Sequence, residues 1–149
     1  MNKLISLLNK VQKLNQSELL NQAVTNPKVE KLILDLNRID QLFNFGEDSE
    51  GISLGVYADS TKFGTSKFKG KIEKGQPIDR VTLKDTGEFY ESFNINEKFN
   101  GIEIEANDIH DLIGRYGQDI LGLSESSFDD ALQYIRGFIL AEIRKELAV

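Results

Sequence analysis

The apolar positions of this chain change their spacing along its length, and each change marks an element. Leu4, Leu7, Leu8, Val11 and Leu14 recur at helical spacing, and Leu19, Leu20, Ala23 and Val24 resume the pattern after Ser17. This predicts two short helices with a break near residues 15–17 and Ser17 as the cap of the second. Asn26-Pro27 then restarts a helix, with Asn as N-cap and Pro at the first helical position. Val29, Leu32, Ile33, Leu36, Ile39, Leu42 and Phe43 form a stripe several turns long, which Gly46 ends. Strict heptads do not continue across Pro27, so these helices are expected to pack within their own domain rather than as a coiled coil.

Past Gly46 the period shortens. Ile52, Leu54 and Val56 alternate and predict a strand over Gly51–Tyr57, weakened by Gly55. Lys62–Gly75 keeps no period, contains three glycines and reads as a loop or poorly formed helix at the surface; Gln76-Pro77-Ile78-Asp79 turns the chain into Val81-Thr82-Leu83. Asp85-Thr86-Gly87-Glu88 has the form of a capping box. Asp85 would accept from a backbone N–H two or three residues on, and Glu88 would reach back to the N–H of Asp85. Phe89 and Phe93 share one face of the short helix that follows.

Asn100-Gly101 is the preferred type I′ hairpin pair. As a two-residue loop it would set Phe99 opposite Ile102, Glu97 opposite Ile104 and Ile95 opposite Ala106, with Lys98 facing Glu103. One face is then apolar except for Glu97, and a one-residue slip would scramble both faces. Phe128, Leu132, Ile135, Ile139, Ile143 and Leu147 supply a long helical stripe to cover that face, opening after Ser124 or Ser126, with Ser124 expected as a structural cap. The expected class is α+β in a single domain over 1–149. It has a helical part (1–45), then a loop, short helix and hairpin (46–107), then an acidic turn and long C-terminal helix packed on the sheet (108–149).

At 149 residues the chain can bury a core, and the lack of cysteine excludes disulfides and thiolate zinc sites. The opening MNKLISLLNK is too short and too interrupted for a signal peptide or a membrane span, so no membrane partner is expected. Charge changes the picture more than composition does. The net charge is −6, yet Lys62–Lys74 holds five lysines against one glutamate, while residues 101–130 hold eight acidic side chains and only Arg115. Lys62, Lys67, Lys69, Lys71 and Lys74, interleaved with Phe63 and Phe68, could serve a small nucleic-acid-binding module. The net negative charge opposes that use. The sole histidine, His110, lies in Asn107-Asp108-Ile109-His110-Asp111, which lacks calcium-loop spacing and reads as a solvated acidic turn. No phosphate-binding glycine motif, G-x-S-x-G or HExxH occurs. The expectation is no enzyme, with no catalytic residue, cofactor or metal.

The order of several short boxes carries a resemblance. Gly51…Leu54-Gly55-Val56-Tyr57…Ser60-Thr61, then Gly75-Gln76-Pro77, then Leu83-Lys84-Asp85-Thr86-Gly87, then Leu121-Gly122-Leu123-Ser124 resembles the tailed-phage virion morphogenesis, or tail-completion, family. The likeness spans about residues 40–147 and departs at Leu112–Gly117 and Gln118-Asp119-Ile120. It implies a virion structural protein at the tail or head–tail junction, made in the host cytoplasm and assembled with itself as a ring. Other tail or connector proteins would be its partners, and DNA would pass through a channel without specific binding. On this reading Lys62, Lys67, Lys69, Lys71, Lys74, Arg115 and Tyr116 are expected assembly contacts, and Asp85, Glu88 and Ser124 structural caps. Opposite charge patches favour a head-to-tail interface, which closes into a ring if the rotation allows.

Overall fold

The computed structural model describes residues 2–99 and 101–148, and its architecture is α+β. Three helices open the chain: α1 (Asn2–Lys13), α2 (Gln16–Val24) and α3 (Pro27–Asp35). The break before α2 lies where the sequence places it, but Asn15 is the cap, accepting from the N–H groups of Ser17 and Glu18 at 3.0 and 3.3 Å. Asn26 caps α3 as expected, accepting from Lys28 N–H at 3.0 Å. After Asp35 the chain continues in a wider π-helical winding over Leu36–Phe45. It stops at Gly46, whose φ of 65° is a left-handed conformation that a β-carbon would disfavour.

The expected strand at Gly51–Tyr57 does not form. That segment makes only isolated contacts: a bridge from Glu47 to Ser53, with Leu54 N–H donating to Gly46 O and Val81 N–H to Gly55 O. The chain then forms α4 (Asp59–Phe63), α5 (Glu88–Glu91) and a two-stranded antiparallel sheet, β1 (Asn94–Lys98) with β2 (Gly101–Glu105). Two 3₁₀ turns, Ile109–Asp111 and Gln118–Ile120, flank α6 (Leu112–Tyr116), and α7 (Glu125–Leu147) is the long C-terminal helix.

The hairpin is where expected, but its turn is one residue earlier. Lys98 pairs with Gly101, Glu97 with Ile102 and Ile95 with Ile104. Gly101 is therefore a strand residue, and Asn100, half of the expected type I′ pair, lies outside the described residues. The pairing slips by two residues, so that Ile95 faces Ile104 in place of Ala106; an even slip preserves which residues share a face, and it leaves Phe99 in the turn. Lys98 still reaches Glu103 at 3.3 Å along the diagonal, and Glu105 at 3.6 Å.

The chain packs as two compact units, one of residues 1–32 with 129–149 and one of residues 33–128. In the first unit Ala23, Val29 and Ala131 are buried. From Asp129 onward α7 belongs to that unit, and the hairpin belongs to the other. In the second unit Ile33, Leu42, Val81, Phe89, Phe93 and Ile120 form the core, with Phe93 set edge-on to Phe89 at 5.1 Å. Ser124 caps α7 as expected: its hydroxyl accepts from Ser127 N–H at 3.2 Å.

Two amides hold the second unit together in a way the apolar pattern conceals. Asn37, fully buried, donates to Ile120 O and accepts from Gly122 N–H, both at 3.0 Å. Gln41, one turn on, donates to Gly122 O at 2.9 Å and accepts from Ser124 N–H at 2.8 Å. One helix face thereby supplies alternate residues 120, 122 and 124 with the partners a neighbouring strand would give.

Candidate functional site

A dense polar arrangement in the second unit surrounds Thr82-Leu83-Lys84. Leu83 has φ 57°, an unusual left-handed conformation for a bulky residue, and it is buried. Three side chains hold the strained turn. Tyr57 Oη accepts from Thr82 N–H at 2.9 Å and from Leu83 N–H at 3.1 Å, which leaves its own proton for Thr82 Oγ1 at 3.2 Å. Tyr90 donates its hydroxyl proton to Thr82 O, and burial pushes that hydroxyl well above the ordinary tyrosine range. Lys71 donates to Lys84 O.

Lys71 is therefore no surface-loop lysine. It is buried, its ammonium lies 5.1 Å from the Tyr57 ring centre, and its nearest carboxylate is Asp85 at 3.8 Å. Burial lowers its pKa, Asp85 raises it and Lys74 lowers it. The loop carrying it is more ordered than its sequence implies. Lys71 and Ile72 N–H groups donate to Thr61 O and Lys62 O, and Gly64 bridges Lys69. Glycine at positions 64 and 70 permits this: a β-carbon on Gly70 would lie 2.2 Å from Gly64 N.

Asp85 is not a cap. Gly87 occupies the N-cap position of α5 without a side-chain bond, Glu88 makes no return bond, and Thr86 Oγ1 accepts from Glu88 N–H at 3.3 Å. Asp85 instead pairs with Lys74 at 2.5 Å. That hydrogen bond lowers its pKa against a smaller opposing effect of burial, with Lys71, Lys74 and His110 lowering it further through their charges. The helix is too short to need the box, and two lysines compete for the carboxylate. Asp85→Asn should therefore be as costly as Asp85→Ala, each within about 1 kcal/mol, because the half-exposed charge is what matters. A lowered carboxylate adds stability that is present above the ordinary value of 3.8 and lost as pH falls through the lowered one. Both variants should flatten that acid limb in urea titrations run against pH. An Asn variant that keeps wild-type stability would restore the capping role.

Beside the strained turn lies a cavity of about 600 Å³. Phe68, Leu83, Phe89, Leu112 and Tyr116 give it apolar surface, and Lys69, Lys74 and Arg115 stand in its lining with Asp85. Of the expected assembly contacts, Lys69, Lys71, Lys74, Arg115 and Tyr116 therefore converge on one place. Lys62 does not: it pairs with Asp59 at 3.6 Å, and Lys67 stays exposed. Arg115 donates to the carbonyls of His110 and Asp111, both at positive φ, so it braces the turn ahead of α6, and among the described residues no carboxylate pairs with it. His110 is exposed at the cavity edge. Among the described residues no group of three or more His, Cys, Asp or Glu could hold a metal ion, and no helix is long and apolar enough to cross a membrane.

No protein-family model, curated protein or solved structure matches the chain. The residues that sequence reasoning missed are Tyr57, Thr82, Tyr90, Asn37 and Gln41. Only the last two left a signal, as amides four apart inside an apolar stripe.

Proposed function

We propose that this chain is a structural protein of a tailed-phage virion, completing the tail or the head–tail connector and working as one member of a ring. The observation that carries the reading is the amount of large apolar surface each unit leaves exposed. In the first unit α1 exposes Leu4, Ile5, Leu8 and Val11 along one stripe; in the second, Phe63, Phe68 and Phe99 are more than half exposed. A soluble monomer gains nothing from such patches, whereas an assembly subunit covers them with neighbours. The sequence resemblance supplies the setting, and the segregation of basic arm from acidic segment supplies a way to fix the order of partners. Acidic residues left uncovered would line a channel along which DNA slides without sticking.

The competing use of the lysine arm, nucleic-acid binding, is weakened by Lys71 and Lys74, both already engaged by Asp85. Mass spectrometry of purified particles from the phage or prophage carrying this sequence tests the reading. We expect the chain at a fixed small copy number per particle, and particles lacking it should accumulate as unjoined heads and tails. Its absence from particles would overturn the proposal. Binding of the free chain to DNA with a steep salt dependence, lost in a Lys67→Glu, Lys69→Glu variant, would favour the nucleic-acid module instead.

A further inference from the structure

Two features of the second unit complement one another. Phe99, in the hairpin turn, is fully exposed at 103%. Glu97, two residues earlier and about 7 Å along the strand, is exposed and takes no part in the hairpin's ion pairs, which join Lys98 to Glu103 and Glu105. The cavity beside Leu83 has the opposite character. Its apolar surface comes from Phe68, Leu83, Leu112 and Tyr116, while Lys69 and Arg115 contribute cationic charge that no carboxylate among the described residues pairs. Its volume of about 600 Å³ accommodates a phenyl ring with adjoining backbone.

We infer that the cavity receives Phe99 from a second copy of this chain, with Glu97 of that copy drawn to Lys69 and Arg115. Knob and hole lie on different surfaces of the same sequence, so the contact is heterologous, and repeating it produces a ring when the rotation closes. A buried aromatic anchor beside a charge pair is the arrangement that dominates interface energetics. The inference rests on the ring reading above and names the contact that would build it.

The chain contains no tryptophan and no cysteine, so both can serve as unique reporters in the full-length protein. In a Phe99→Trp chain we expect emission to shift to the blue as concentration rises, in step with the mass measured by sedimentation. Phe99→Glu should weaken association at least about 30-fold, equivalent to about 2 kcal/mol. Glu97→Lys should also weaken it, and Lys69→Glu on the partner copies should restore it. A mixture of Phe99→Cys and Phe68→Cys chains should form the mixed disulfide in preference to either homodimer. A chain that stays monomeric at every concentration, or that associates while the tryptophan stays solvent-exposed, overturns the contact. Normal entry of the Phe99→Glu chain into virions would overturn the contact and leave the virion reading standing. Association through Phe99 by a chain absent from virions would do the reverse.

Discussion

Asn37→Ala should destabilise the second unit by about 3–5 kcal/mol in urea unfolding. The substitution leaves Ile120 O without its donor and Gly122 N–H without its acceptor. Each orphaned buried group costs about 1–3 kcal/mol, and the small void where the amide stood adds to that. Asn37→Asp should be nearly as harmful: it restores the acceptor for Gly122 but sets a carboxylate against the Ile120 carbonyl. Gln41→Ala should cost somewhat less, since Gln41 is slightly less enclosed and its partners Gly122 O and Ser124 N–H lie nearer solvent. The double variant should cost less than the sum of the singles, because once 120–124 detaches its second anchor has little left to hold. For a domain whose whole stability lies within about 5–15 kcal/mol, loss of both amides should leave the protein unfolded or nearly so at room temperature. A loss under about 1 kcal/mol for Asn37→Ala would mean that residues 120–124 are held by their apolar contacts instead.

That ladder shows where sequence reading succeeds and where it stops. Helices α1–α3 and α7, the two faces of the hairpin and the Ser124 cap were legible because each rests on a local rule: a period, an alternation, a hydroxyl three residues ahead of its donor. Asn37 and Gln41 sit within that local pattern, yet their partners lie more than eighty residues away, and no spacing rule points to them. The turn at Leu83 is hidden for the same reason. Tyr57 and Tyr90 come from separate segments and meet at Thr82 only once the chain has folded. The Asp85 misreading has a different origin. A D-x-x-E string satisfies the local rule for a cap, but two lysines, eleven and fourteen residues back, offer the carboxylate a stronger partner than a single N–H. The hairpin's faces were legible and its turn was not, because a slip of two residues in the pairing leaves the alternation unchanged.

The second large effect falls on the lysine arm and corrects the expectation that Lys71 belongs to a surface loop. Lys67 and Lys69 are exposed, and changing both to Glu should leave the fold within about 1 kcal/mol of wild type. Lys71→Glu should cost about 4 kcal/mol or more. It replaces the donor to Lys84 O with an acceptor and buries a second carboxylate beside Asp85. Lys71→Met should cost at most about 2 kcal/mol: Lys84 O loses its donor, but the buried charge that opposed folding is gone. The pH profile separates that account from simple loss of packing. Burial holds Lys71 below its ordinary value of 10.5, so between the lowered value and 10.5 the unfolded chain binds more protons than the folded one. Wild-type stability should therefore gain from Lys71 as pH rises through that window, a contribution that Lys71→Met should remove. Any test of the arm as an assembly contact must accordingly use Lys67 and Lys69 and spare Lys71, since a Lys71→Glu chain that fails to assemble has first failed to fold. If Lys71→Glu proves as stable as the Lys67 and Lys69 variants, the ammonium does not anchor the Leu83 turn and Tyr57 and Tyr90 hold it without help.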